Sequence, residues 1–247
     1  MGTLDWLVAR PIAHRGLHDG THGIVENTPS AFAAAIAGNY GIECDVQVTA
    51  DGEAMVYHDA ALGRLTEGSA RLADRTAADL ARVPFRATAD RMLTLGSLCD
   101  LVAGRVTLVI ELKSHFDRDR RLPARTAAVL SAYSGPVAVM SFDPAQVTAL
   151  RERAPALTRG LVAESRHRGT GDGFSAMAKR AFAYAASAVR ARPNFLAYSV
   201  RDLPASLPGA ARKLGGLPLL TWTVRTAQDR QRASRWADQM IFEGFRP

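Results

Sequence analysis

The 247 residues are 47% hydrophobic, enough for one sizeable core, and their two cysteines, Cys44 and Cys99, exclude a disulfide framework and read as buried small hydrophobes. A formal charge of +7 invites a nucleic-acid or anionic-membrane partner, but Lys113, Lys179 and Lys213 are the only lysines. The arginines are scattered along helix patterns without aromatic interleaving, which excludes an extended nucleic-acid surface.

From Met1 to Arg10 there is an early acid, Asp5, and no apolar run of signal length. Neither a secretory signal nor a spanning helix is expected there, which implies a cytoplasmic protein unless a leader has been trimmed. The first strand is predicted over Ile12 to Arg15. Thr28-Pro29 then supplies a helix N-cap and a first-position proline, the alanine-rich stretch to Ala37 propagates the helix, and Gly38 stops it. Further strands are predicted over Ile42 to Val48, Thr107 to Leu112, Val137 to Phe142, Arg159 to Ala163, Phe195 to Val200, Leu219 to Val224 and Gln239 to Glu243. Asp143-Pro144 repeats the helix-start signal. Strands alternating with helices imply parallel strands with right-handed crossovers, and eight such units close into a (β/α)8 TIM barrel. No repeat, low-complexity tract or linker argues for a second domain, so residues 1–247 read as one.

One connection breaks the alternation. Between Asp45 and His58 there is no room for a helix, and Asp51-Gly52 between extended residues signals a two-residue hairpin. Pairing outward from that turn sets Ala50 against Glu53, Gln47 against Val56 and Asp45 against His58. A β-hairpin extension after the second strand would thus bring His58 back beside a carboxylate.

Alternation within strands sorts the acids. Glu43, Asp45 and Gln47 share one face of the second strand and the apolar residues the other; Glu111 and Lys113 point inward at the end of the next barrel strand. Three carboxylates converging in one pocket repel each other unless a cation or proton lies between them. A hard, oxygen-preferring divalent ion, Mg²⁺ or Ca²⁺, is the natural occupant. The structural alternative is an ion-pair network of these acids with Lys113 and Arg15.

His14-Arg15-Gly16, Glu26-Asn27-Thr28, Glu43-Cys44-Asp45, His58-Asp59, Leu93-Thr94-Leu95 opening a helix, Glu111-Leu112-Lys113, Ser141-Phe142 and Trp222-Thr223-Val224 follow one another in an order that resembles the glycerophosphodiester phosphodiesterase family over essentially the whole chain. The resemblance implies metal-dependent hydrolysis of glycerophosphodiesters to sn-glycerol 3-phosphate and an alcohol. It implies Glu43, Asp45 and Glu111 as metal ligands and His14 and His58 as general acid and base. In the implied route the substrate's 2-hydroxyl attacks phosphorus and water opens the resulting cyclic phosphate. Arg15 is the expected phosphate ligand, its planar fork matching two oxygens. Lys113 would stabilise charge growing on the phosphoryl group, and Trp222 would wall the substrate pocket. Asn27 reads equally as a hydrogen-bond donor to substrate or metal-bound water and as a helix-start residue. His18, His22, His115 and His167 fall in predicted loops and are expected to be solvated.

Two departures stand out. The last strand runs Ile241-Phe242-Glu243-Gly244-Phe245-Arg246-Pro247 where Thr-Asp followed by Pro is usual in the family, and Val25 stands where Pro is common. After the fifth strand, Arg166, His167 and Arg168 precede a helix pattern with Lys179 and Arg180. A lipid surface is a possible target for them, but the stripe Phe174, Met177, Ala178, Ala181, Phe182, Ala185 reads more simply as the face packed on the barrel. The expected partner is a small-molecule diester, with neither nucleic acid nor stable membrane anchoring. Lysophospholipase D-like cleavage of larger lipid diesters is the alternative activity, and a barrel serving only as a binding module ranks below both.

Overall fold

Each of the eight apolar runs becomes a strand in the computed structural model, which describes residues 4–165 and 186–247. In chain order they are β1 (Ile12–Ala13), β2 (Gly41–Val48), β4 (Leu108–Leu112), β5 (Val137–Ser141), β6 (Thr158–Ala163), β7 (Phe195–Ser199), β8 (Leu219–Val224) and β9 (Gln239–Phe242), with β3 (Ala54–Val56) added antiparallel to β2. β1 pairs in parallel with both β2 and β9, so the ring closes. With helices between successive strands this is a (β/α)8 barrel carrying one extra strand. The N-caps Thr28, Thr94 and Asp143 each accept a backbone N–H in the first turn, as the helix-start signals require.

Two apolar layers hold the barrel. Inside it, Ile12, Val109, Met140, Val162, Phe195, Leu220 and Ile241 meet one another, joined by Leu7 from the short helix Asp5–Val8 before β1. Gly160 makes room for this packing, because a Cβ there would lie 2.4 Å from the ring of Phe195. Outside it, Ile42, Cys44, Val46, Leu108, Ile110 and Leu112 pack against Phe32, Ala35, Leu98, Cys99 and Val102 of the surrounding helices. Each such fully buried aliphatic or aromatic side chain contributes about 1.5–3 kcal/mol. Both cysteines are buried and free.

The hairpin differs from expectation by one residue. Its loop is Ala50-Asp51-Gly52, closed by Thr49 N–H donating to Glu53 O at 3.0 Å, with Gly52 in the left-handed region at φ 83°. Asp51 is also anchored, accepting from Ala77 N at 3.0 Å. A third loop residue moves the pairing to Val46 with Val56 and Gln47 with Met55, so Asp45 faces Tyr57, whose N–H donates to Asp45 O at 3.0 Å, and His58 lies one residue beyond. Met55 and Tyr57 therefore enter a second small core with Val25, Leu72, Leu80, Phe85 and Met92, built by the segment between β3 and the helix Leu95–Val102. No helix among the described residues is long and apolar enough to cross a membrane. The basic stretch at 166–168, with Lys179 and Arg180, lies outside the described residues.

Candidate active site at the C-terminal mouth

The register of the parallel strands brings the acids together. Asp45 sits level with Glu111 across the β2–β4 pair, and Glu43, two residues earlier, lines the same face. Carboxylate oxygens of Glu43, Asp45 and Glu111 lie within 4.8 Å of one another, all three residues buried. Burial beside Asp45 and Glu111 pushes Glu43 well above the usual carboxylate range, and burial likewise lifts Glu111 to about 7. Burial acts on Asp45 in the same sense, but Lys113 and Arg15 outweigh it and hold the group well below that range. Two acids held towards their protonated forms around one ionised acid, with oxygen donors only, fit a hard divalent cation, which would satisfy all three as anions.

Bases frame this cluster. Lys113 Nζ donates to Glu111 Oε1 at 2.7 Å and lies 2.8 Å from Asp45 Oδ1. Arg15 donates through Nη1 to Glu26 Oε1 at 2.7 Å, its Nε is 3.2 Å from Asp45 Oδ2, and its backbone N–H donates to Glu43 Oε2 at 3.1 Å. That backbone contact depends on the turn after β1, where Arg15 has φ 56° and Gly16 φ 80°. A Cβ on Gly16 would lie 2.8 Å from the backbone of Ala31, so the third residue of His-Arg-Gly is sterically compelled. Asn27 is buried, with Nδ2 donating to Asp45 Oδ2 at 2.9 Å and Oδ1 accepting from Asp45 N at 3.3 Å. Its amide braces Asp45, and the adjoining helix is capped by Thr28 instead.

The histidines flank the acids. His14 Nε2 is 4.0 Å from Glu43 Oε2, while its Nδ1 is 2.7 Å from Glu243 Oε2. His58 Nδ1 is 2.8 Å from Asp59 Oδ1, and Gln47 Nε2 donates to the carbonyls of Tyr57 and Asp59 at 3.1 and 2.6 Å, fixing the chain on either side of His58. Burial lowers both imidazoles from their ordinary value, against the opposing pull of Glu243 on His14 and of Asp45 on His58. Glu243, despite partial burial, is held down to about 2 by His14 and Arg225. Across the mouth, Trp222 and Phe142 meet edge to face with ring centroids 5.4 Å apart, and Trp222 Nε1 is buried without a hydrogen-bond partner among the described residues.

His14, Arg15, Glu43, Asp45, His58, Glu111 and Lys113 thus gather at one end of the barrel. His18 is not solvated as expected: it is half-buried, its Nε2 is enclosed without a partner among the described residues, and it has a ring nitrogen within 4.8 Å of ligand atoms of His14 and Glu243. His22 and His115 are exposed, and His167 lies outside the described residues. Glu26 and Asp59 stand in the quoted motifs but without a role there, and Arg64, Arg225 and Glu243 lie outside every motif. Of those three only Glu243 left a signal, being an acid just past the end of the last barrel strand, where such barrels build their sites.

The profile of the Glycerophosphoryl diester phosphodiesterase family matches residues 14–245. A glycerophosphodiester phosphodiesterase of Caldanaerobacter subterraneus subsp. tengcongensis is 29% identical over 231 residues, 90% of this chain and 88% of its own. Glycerophosphodiester phosphodiesterase 1 of Bos taurus is 46% identical over 66 residues, which are 26% of this chain and 19% of that one. Among solved structures, an Oleispira antarctica phosphodiesterase in complex with the product sn-glycerol-3-phosphate superposes with a TM-score of 0.76 at 19% identity, covering 96% of this chain and 94% of its own.

Proposed function

The chain belongs to the glycerophosphoryl diester phosphodiesterase family, and we propose that its barrel mouth hydrolyses small glycerophosphodiesters to sn-glycerol 3-phosphate and an alcohol, with His14 and His58 as the acid–base pair. The observation that carries this reading is the acid cluster itself, flanked by one imidazole on each side and by Arg15 and Lys113. Glu43, Asp45 and Glu111 would hold one divalent cation, Mg²⁺ or Ca²⁺, which when bound neutralises phosphate charge.

In the proposed route one histidine takes the proton of the glycerol 2-hydroxyl as its oxygen bonds to phosphorus, and the other gives a proton to the departing alcohol oxygen as its bond to phosphorus breaks. The product of that step is a cyclic phosphate. Water then adds to phosphorus with the two proton transfers reversed, reopening the ring to glycerol 3-phosphate. Arg15 and Lys113 bind and orient the phosphoryl oxygens, each held in place by the acids around it. Trp222 and Phe142 form the apolar wall for the organic part of the substrate.

The test is release of glycerol 3-phosphate from a panel of glycerophosphodiesters, with and without a chelator, beside a substrate lacking the 2-hydroxyl. Activity on the diesters, lost with chelator and absent on the deoxy substrate, is expected. Full activity after exhaustive metal removal would sink the metal assignment, and efficient cleavage of the deoxy analogue would rule out the cyclic route. Preference for lysophospholipids over the small diesters would favour the lysophospholipase D-like activity instead.

A further inference from the structure

Both histidines are backed by a carboxylate, and both carboxylates are gripped by an arginine. Glu243 accepts from Arg225 through Nη2 to Oε2 at 2.9 Å and Nε to Oε1 at 3.3 Å. Asp59 accepts from Arg64 through Nε to Oδ2 at 2.6 Å and Nη2 to Oδ1 at 3.1 Å. The same Arg64 reaches Glu26, Nη2 to Oε1 at 2.7 Å and Nη1 to Oε2 at 3.3 Å, and Glu26 in turn accepts from Arg15. The parts arise separately: Arg225 follows β8, Glu243 follows β9, and Asp59 and Arg64 belong to the segment after β3. The arrangement occurs twice, from unrelated stretches of chain, around the two groups that the reaction uses.

We propose that Glu243 with Arg225, and Asp59 with Arg64, are positioning residues of the phosphodiesterase reaction: each carboxylate accepts a hydrogen bond from Nδ1–H of its histidine, leaving Nε2 as the reacting nitrogen, and each arginine fixes the plane of that carboxylate. The inference rests on His14 and His58 being the acid–base pair. A neutral imidazole has one N–H and one bare nitrogen, and an acceptor at Nδ1 decides which is which. At His14 the nitrogen left bare is the one facing the acid cluster, Nε2 at 4.0 Å from Glu43. A carboxylate alone can rotate; one clasped at both oxygens by a planar guanidinium cannot. Arg64 has a further consequence, since through Glu26 it ties the orientation of His58 to that of the phosphate-binding Arg15. His14, His18 and Glu243 lie close enough to share a cation, but the guanidinium of Arg225 on Glu243 opposes one there.

The experiment compares Glu243→Gln, Asp59→Asn, Arg225→Met and Arg64→Met with their conservative partners Glu243→Asp, Arg225→Lys and Arg64→Lys, beside His14→Ala and His58→Ala. An amide can donate to Nδ1 and so favours the wrong tautomer. The two amide variants should lower kcat about ten- to a hundred-fold, the usual range for groups behind a ligand or catalyst, with KM changing far less and partial recovery in the conservative variants. In ¹⁵N-histidine spectra the wild type should show Nδ1 protonated and Nε2 bare at His14, and Glu243→Gln should move the proton to Nε2. That spectral change separates positioning from loss of fold, and Arg225→Lys decides if the amide variant does not fold. Wild-type kcat and an unmoved tautomer in Glu243→Gln, with His14→Ala inactive, would overturn the positioning role and leave the acid–base assignment standing. Full activity in His14→Ala and His58→Ala would remove that assignment, and the positioning role with it.

Discussion

Glu111 is held at about 7 against its ordinary 4.5 because burial disfavours its charge. A raised native pKa means that the folded chain binds this proton more tightly than the unfolded one. Its contribution to stability is therefore complete below the ordinary value and is lost as pH rises through about 7. Glu43 shifts in the same direction, while Asp45, held low, matters only at more acidic pH. His14 and His58, lowered by burial, titrate in the opposite sense, so the Glu111 contribution is read against Glu111→Gln: relative to that variant the metal-free protein should lose thermal stability between about pH 5 and pH 8, and its gain in Tm on adding Mg²⁺ should grow across that window, because the ion binds the deprotonated acids. A Mg²⁺-induced gain that does not vary with pH would contradict this. At Glu111→Gln the gain should shrink together with turnover. His14→Ala and His58→Ala should each lower kcat by roughly a hundred- to ten-thousand-fold, the range for a general acid or base, while leaving the Mg²⁺ titration nearly unchanged; steady-state kinetics and calorimetry check the two halves.

Two turns carry the site. The turn after β1 aims Arg15 N–H at Glu43 and requires Gly16, both for its φ of 80° and for the backbone of Ala31 at 2.8 Å from a would-be Cβ. Gly16→Ala should cost about 1–3 kcal/mol and lower activity as well, since it shifts the backbone between His14 and the helix that begins at Pro29; unchanged Tm and kcat would show that the turn absorbs the methyl group. The hairpin is the second. Its three-residue loop sets the register that buries Tyr57 and leaves His58 free of the ladder. Deleting Ala54 should move every following residue of β3 by one place against β2 and exchange the faces of Met55 and Tyr57 with that of Val56. Loss of His58-dependent activity together with a large fall in Tm is the expected result.

Closure of the barrel depends on the last strand as much as on the first. β9 completes the ring by pairing with β1 and β8, and it delivers Glu243 to His14. A chain ending at Asp238 should leave two unpaired edges and one histidine without its acceptor, and should be aggregation-prone as well as inactive. If residues 1–247 form one cooperative unit, as the shared interior of the barrel suggests, far- and near-ultraviolet dichroism should report the same thermal midpoint. Two separated midpoints would argue for a second unit within the chain.

The strands, their order, the caps at Thr28 and Asp143, and the inward acids were legible because they follow from local rules. A strand alternates its faces every residue, and a cap needs a side-chain oxygen beside free N–H groups, so Glu43, Asp45 and Glu111 announce themselves within a few residues of chain. The hairpin register was not legible, because a single extra loop residue, chosen by Thr49, Gly52 and the anchoring of Asp51 by Ala77, moves every partner by one. Nor were Arg64, Arg225, the role of Glu243 or the enclosure of His18: Glu243 and His14 lie 229 residues apart, Arg64 and Glu26 38 apart, and a lone arginine in a loop has no period to betray even a near partner such as Asp59. Composition and periodicity by themselves determine the barrel and where its acids point. Only the closed ring, by setting β1 against β9 and folding the hairpin over the mouth, decides which carboxylate meets which histidine, because hydrogen-bond partners at a barrel rim are selected by distance in space and not by spacing along the chain.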